Sequence, residues 1–247
     1  MIQEFLSGLI YVPKGILIIL RPGFHRFIIL PILISVVLFG SGLGLSTYGL
    51  HSLIEQLLPN GDQWLFWLIG PLLIIVLIVG MVYSFSIVAN LISLPFSAFL
   101  AEQMEMRKRE APVLPGENLK TLLNNTMVGW KTQITCLIYQ IIRMLPLLVV
   151  SFIPMLNILT TWVLFAFSAW MLALTYMSTP MGNHGLPFSE ILKTCKAQKG
   201  LMLGLGTGLM LLALIPFLNL LIVPAGTAAA TLVWIEKIPL STELSKH

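Results

Sequence analysis

The strongest chemical signal in the sequence is a basic turn that contains Arg21, Gly23, Phe24, His25 and Arg26. The Pro-Gly pair within this turn predicts that one helix stops and another begins at about Phe24. The first N–H groups of a helix have no partner within it, and the helix dipole favours an anion there. Both arginines can add bidentate bonds to a tetrahedral oxyanion. The turn therefore predicts an oxyanion site; the alternative is an interfacial arginine pair on lipid phosphate.

A second set of candidates lies within apolar segments. Arg143 interrupts an apolar stretch, and an ionisable group at membrane depth is costly and usually functional. The alternative is that its side chain extends to the membrane surface. Asn157 and Asn219 hold equivalent places in an internal repeat, because residues 153–159 and 215–221 are identical at five of seven positions. An asparagine amide can bond backbone that a turn leaves unpaired, so these three residues are candidates for a translocation path.

The sequence lacks the residue patterns that catalysis, metal binding and nucleotide binding require. The long charge-free blocks contain no carboxylate, the four histidines are scattered, and no zinc, nucleophile-elbow or nucleotide-phosphate motif occurs. Two cysteines are too few for a disulfide framework. The sequence therefore predicts no enzyme, no cofactor, no metal and no nucleic-acid partner.

The elements that position these candidates belong to a membrane protein. The chain has 247 residues, of which 57% are hydrophobic and only 10% charged, whereas a soluble domain has about 25% charged residues. Its mean hydropathy is +0.93. Four long blocks are free of Asp, Glu, Lys and Arg, and they are residues 27–50, 64–101, 144–189 and 200–235. This composition excludes a soluble fold and a disordered chain.

These blocks predict a single all-α membrane domain, residues 1–247. Its predicted parts are an amphipathic N-terminal helix at 1–20, a first crossing at 24–50, a long second crossing with a cytosolic extension at 64–108, and two re-entrant or partly inserted helical hairpins at 132–179 and 200–235. Gly200, Gly204 and Gly208 form a small-residue face that favours close helix packing.

The basic residues predict the orientation. The loop at 51–63 has no Lys or Arg, while each of the four other segments outside the blocks carries two or more. That loop is therefore expected outside and the other segments in the cytoplasm. Both later blocks must then enter and return on the same side. The last block has 36 residues, which leaves two legs of roughly 16 residues or ~24 Å, short of the ~30 Å core. Proline-kinked spanning helices are the alternative, above all for the first hairpin, whose legs are longer.

At these residues the sequence resembles the CysZ sulfate permease family of bacterial inner membranes. The resemblance runs in order along nearly the whole chain. The matching residues are Arg21-Pro22-Gly23, Arg26-Phe27, Leu30-Pro31, Ala89-Asn90, Pro95-Phe96, Leu100-Ala101-Glu102-Gln103, Tyr176-Met177, Asn183-His184, Pro187-Phe188, Ile215-Pro216, Leu218-Asn219-Leu220, Pro224, Gly226-Thr227-Ala228 and Trp234.

The resemblance implies sulfate uptake that supplies cysteine synthesis, by an oligomer with two long crossing helices and partly inserted helix pairs. It also implies that the turn at 23–26 is the family's glycine–arginine sulfate-binding motif. One departure is the absence of the family's usual aspartate between Tyr176-Met177 and Pro180, where this chain has Ser178 and Thr179. The expected partners are sulfate or a related oxyanion, the lipid bilayer and further copies of the chain. A membrane scaffold that regulates a partner complex is the alternative function.

Overall fold

The structure is a computed structural model, and it describes residues 1–24, 29–30, 33–34, 37, 40–42, 71–72, 75–76, 79–80, 96–108, 119–153, 157–215 and 221–238, with only the backbone at 119–130 and 157. The chain divides into two units, residues 1–25 with 97–247, and residues 26–96. Within the second unit, the described residues are helical. Most of both predicted crossings, 24–50 and 64–108, lies outside the described residues, so the crossings stay predictions.

The prediction of an all-helical membrane protein is confirmed, since every regular element among the described residues is a helix. Residues 96–108 form a helical segment that is called segment 96–108 below. The helices of the larger unit are α1 (Ile2–Ile19), α2 (Leu119–Ser151), α3 (Asn157–Asn183), α4 (Phe188–Ala197), α5 (Lys199–Ala213) and α6 (Ile222–Lys237). Three described stretches are long and apolar enough to cross a membrane, namely Ile2–Ile19, Lys131–Ser151 and Ile158–Asn183.

Helices α5 and α6 cover most of the last charge-free block, for which two short legs are predicted. They contain 15 and 16 residues, so they reach about 22 and 24 Å, less than the ~30 Å of a hydrocarbon core. Most of their residues are buried, because both pack against α1 and α3. Protein therefore covers these two helices, which is the condition that a partly inserted pair must meet. Their depth in a bilayer stays a prediction.

The glycine face of α5 lies in these contacts, and the prediction of close packing is confirmed. A methyl group on Gly204 would overlap the carbonyl oxygen of Phe5 in α1. One on Gly206 would overlap the carbonyl oxygen of Ala169 in α3. The absence of side chains at these two positions lets three helix backbones approach one another.

Helices α2 and α3 run antiparallel to each other. Gln140 Nε2 donates to Thr175 Oγ1 at 2.5 Å, and Gln133 Nε2 donates to Thr179 Oγ1 at 3.4 Å. Their apolar stretches have 21 and 26 residues, or about 31 and 39 Å. Either is long enough to span the core fully.

The chain leaves its helix at each copy of the internal repeat. Helix α2 ends at Ser151 and α3 begins at Asn157, while α5 ends at Ala213 and α6 begins at Ile222. Residues 154–156 and 216–220 are outside the described residues. Among the described residues, one helix thus ends before each copy's proline and another begins at or after its asparagine, which argues against one continuous kinked helix.

Helix α1 packs through a narrow stripe of glycine, aliphatic and aromatic residues. Gly8, Tyr11, Val12, Gly15 and Ile19 are buried at helical spacing, and they face α5 and α6. The opposite face is exposed and includes large apolar side chains, among them Ile2, Leu6, Ile10 and Leu17. An exposed apolar face of this kind suits contact with lipid. The interfacial placement of residues 1–20 stays a prediction.

Candidate functional site

The basic turn begins directly after α1. The N–H of Arg21 donates to the carbonyl of Ile18 at 3.0 Å, and the N–H of Phe24 donates to the carbonyl of Arg21 at 3.3 Å. Gly23 has a φ of +98°, a conformation that a residue with a side chain rarely adopts. Glycine at this position therefore makes the tight reversal possible.

The turn uses one of the N–H groups that the sequence suggested for an anion. The Phe24 N–H is bonded within the turn, whereas the Gly23 N–H donates to no group in the described part of the chain. The Arg21 side chain is exposed. His25 and Arg26 lie outside the described residues, so the structure does not test their part in the site.

The structure adds Arg107 to the turn, a residue that the sequence reasoning missed. The Arg107 guanidinium carbon lies 4.5 Å from the centroid of the Phe24 ring. A methyl group on Gly23 would lie 2.8 Å from Nη2 of Arg107. The turn thus contains one cationic side chain, Arg21, and contacts a second, Arg107, through Gly23 and the Phe24 ring, which is only 4% exposed. In the sequence, Arg107 is one of several basic residues after the second block, and nothing marks it for this contact.

An ion pair holds the end of segment 96–108 against α1 and α6. Lys108 Nζ forms an ion pair with Glu236 of α6, and the Tyr11 hydroxyl donates to the second oxygen of Glu236 at 2.9 Å. Lys14 Nζ lies 4.9 Å from the centroid of the Tyr11 ring. Burial by itself raises the pKa of Glu236, but the bonds from Lys108 and Tyr11 and the nearby lysine charges lower it below its usual value. Glu236 is therefore a stable anion in this contact.

A second set of contacts ties the same segment to the α3–α4 connection. Glu105 Oε2 lies 2.8 Å from Nε2 of His184, and Asn183 Nδ2 donates to the carbonyl of Ala98 at 2.9 Å. The His184 ring also lies 5.6 Å from the ring of Trp234. Segment 96–108 is thus bonded to two other parts of the fold, and Arg107 projects from a positioned helix.

The structure places Arg143 on α2, away from any described contact with the turn. Arg143 is exposed, and its guanidinium carbon lies 5.5 Å from the centroid of the Tyr139 ring. It follows Lys131 by 12 residues, which is about 18 Å along a helix. Between these two cations on α2 lie Gln133 and Gln140, which donate to Thr179 and Thr175 of α3.

The other two path candidates are not tested. Asn157 is the first residue of α3, and its side chain is outside the described set, as is all of Asn219. The segment that lacks the family's aspartate is described, and its hydroxyls are used locally. Ser178 Oγ donates to the carbonyl of Thr175 at 2.6 Å, and Thr179 accepts from Gln133.

Comparison with known proteins identifies similar chains over almost the whole length. A family model described as "Sulfate transporter CysZ/Etoposide-induced protein 2.4" matches residues 11–224. A protein named sulfate transporter CysZ from Pseudomonas aeruginosa is 32% identical over 235 residues, which is 94% of this chain and 96% of that protein. Proteins of the same name from Pectobacterium atrosepticum and Pseudomonas syringae pv. tomato are 35% and 33% identical, over 94% of this chain and 85% and 93% of theirs.

Proposed function

We propose that this chain, which belongs to the sulfate transporter CysZ family, carries sulfate across a membrane. Its relatives are named as sulfate transporters, and the identity extends over 94% of the chain. Stretches that are apolar enough to span a bilayer support the same function. The alternative, a scaffold that regulates a partner complex, is not favoured because the relatives are themselves named transporters. Transport also needs no catalytic acid and base, so we propose that the chain is not an enzyme.

We propose that sulfate binds at the basic turn that contains Arg21, Gly23, Phe24, His25 and Arg26. The Phe24 N–H is already bonded within the turn, so the other four residues would supply the donors. The observation that carries this assignment is the geometry of Gly23, whose N–H donates to no group in the described part of the chain and where a methyl group would lie 2.8 Å from Nη2 of Arg107. Backbone N–H groups and guanidinium groups are the donors that stabilise oxyanions in proteins. Sulfate remains a dianion at neutral pH, so selectivity must come from charge and the number of donors.

A translocation path would use Arg143, Asn157 and Asn219. Arg143 supports this part of the proposal because it is a cation on a helix whose apolar stretch, Lys131–Ser151, is long enough to span the bilayer. Its guanidinium lies over the Tyr139 ring. Stacking of this kind leaves the N–H groups at the guanidinium edge available to an anion.

We further propose that the protein is a multi-pass component of the bacterial inner membrane, works as a homo-oligomer and supplies sulfate for cysteine synthesis. Exposed apolar residues on α2 and α3 support the membrane setting. They include Leu145, Val149, Ile158 and Trp162, each more than half exposed in the single chain. Lipid or another protein copy must cover such a surface. Family membership supports the remaining parts.

Sulfate flux into liposomes that contain only this purified chain tests the function. We expect labelled sulfate to accumulate faster in these liposomes than in empty ones. Measuring the flux with and without an imposed proton gradient would establish the driving force. The Arg26→Ala variant should bind sulfate much more weakly while it folds normally, and Lys193→Gln, an exposed charge on α4, is the matched control. A wild-type chain that shows no flux contradicts transport, and a folded Arg26→Ala variant with unchanged binding contradicts the site.

A further inference from the structure

We infer that Arg107 is a sulfate ligand, so that the anion site has two parts that are 84 positions apart in the chain. The first part is the turn with Arg21 and Gly23, and the second is the guanidinium that segment 96–108 presents to it. This inference rests on the proposed function, and it adds a residue that the basic turn does not contain.

The first argument is the contact itself. A methyl group on Gly23 would lie 2.8 Å from Nη2 of Arg107 and 3.6 Å from both Cζ and Nη1. The guanidinium therefore occupies the space that a side chain at position 23 would take. An anion bound to the Gly23 N–H and an anion bound to Arg107 would be in the same small region of the turn.

The second argument is that, within the described part of the chain, Arg107 forms no ion pair. The described residues offer Arg107 no carboxylate, although its neighbour Lys108 has Glu236 and the nearby Glu105 has His184. Its guanidinium instead lies over the Phe24 ring. A guanidinium that stacks on an aromatic ring uses its face, and its in-plane N–H donors stay free for an oxyanion.

The third argument is that the helix that carries the exposed Arg107 is held in place before any anion arrives. The Lys108–Glu236 pair follows it in the chain, and the Glu105–His184 pair precedes it. Because these contacts attach segment 96–108 to α6 and to the α3–α4 connection, little ordering is left for binding. A positioned donor contributes more affinity than a flexible one.

A second guanidinium also bears on which anions are selected. Two arginines bind a dianion more strongly than a monoanion, because each charge of the anion meets a full positive charge. Removal of Arg107 should therefore weaken sulfate binding more than nitrate binding. If Arg107 only covers Phe24, its removal should change neither the sulfate affinity nor the nitrate affinity selectively.

The experiment compares the full-length chain with Arg107→Gln, Arg107→Lys and Lys193→Gln in titrations with sodium sulfate and sodium nitrate, and records thermal melting without anion. We expect Arg107→Gln to weaken sulfate binding roughly tenfold to hundredfold, the cost of one bond to a charged group, with a much smaller change for nitrate. Arg107→Lys keeps the charge over Phe24 and should regain the wild-type melting temperature but only part of the affinity. Lys193→Gln should bind like the wild type.

The outcomes separate this inference from the proposed function. A wild-type chain that binds no sulfate contradicts the proposed function together with the site. Wild-type binding that Arg107→Gln and Arg107→Lys both retain in full contradicts the role of Arg107 alone. If Arg107→Gln fails to fold, Arg107→Lys decides the question, since full sulfate affinity in that variant contradicts a bidentate guanidinium contact.

Discussion

Replacement of Gly23 by alanine tests the turn with the smallest possible change. The φ of Gly23 is +98°, and a side chain in such a conformation costs about 1–3 kcal/mol. The added methyl would lie 2.8 Å from Nη2 of Arg107, closer than a Cβ atom normally approaches any heavy atom. The guanidinium must therefore move away from the turn. Loss of its bond to a bound oxyanion is worth about 1.5–3 kcal/mol, so we expect sulfate to bind roughly ten- to hundredfold more weakly.

Gly185 provides the matched control. Its φ is +72°, and nothing lies within 4 Å of the position that a methyl group would take. Gly185→Ala therefore brings comparable backbone strain without the clash with Arg107. Thermal melting should fall in both variants, whereas isothermal titration with sulfate should show a loss of affinity only in Gly23→Ala.

Two results would refute this reasoning. Wild-type affinity in a folded Gly23→Ala variant would show that the turn does not need the guanidinium at its present position. An equal loss of affinity in Gly185→Ala would show that general backbone strain, and not the contact with Arg107, controls binding.

Three further predictions concern the rest of the fold. The pKa of Glu236 is lowered in the folded state, so its stabilising effect is present above the unfolded-state pKa of about 4.3 and is lost as the pH falls through the folded-state pKa. Glu236→Gln should therefore melt at a lower temperature than the wild type at pH 7, and the two melting temperatures should converge in acid. A difference in melting temperature that does not change with pH would contradict the ion pair. In Gly206→Ala, the added methyl group would overlap the Ala169 carbonyl oxygen, and stability should fall by at least about 1–3 kcal/mol. The variant should lose its monodisperse peak in gel filtration. The control is Gly40→Ala, whose methyl group would have no neighbour within 4 Å, and it should elute like the wild type. Arg143→Gln should slow sulfate flux into liposomes without a change in sulfate affinity, and an equal loss of both would place Arg143 at the binding site.

The last helical pair, α5 and α6, shows how much of the fold could be predicted from the sequence. The 36 charge-free residues at 200–235 predict two legs that are too short to cross, and α5 and α6 have 15 and 16 residues. Membrane insertion restricts where charges lie, so the length of a charge-free block limits the length of its helices. Whether this pair enters the bilayer and returns stays a prediction. The same reasoning left the first hairpin open, since its legs are long enough for either arrangement.

The candidate site was predictable only in part. Arg21 and Gly23 are recognisable because their chemistry lies within a few residues of sequence. Arg107 is not, since its contact with the turn spans 84 positions and depends on how segment 96–108 packs. Basic residues near membrane segments are already explained by the orientation of the chain in the membrane. The sequence therefore gives no reason to assign one of them a specific role in binding.

By itself, the sequence determined that this protein is an all-helical membrane protein, and it located a basic turn at residues 21–26. Scarcity of charge and helical spacing are local properties, so they can be read along the chain. Only the tertiary structure decided which cation meets that turn and which carboxylate holds the neighbouring helix in place. Arg107 beside Gly23 and Lys108 beside Glu236 are contacts between distant segments. The close approach of helix backbones at small residues brings such segments together, and no local pattern specifies which partners will meet.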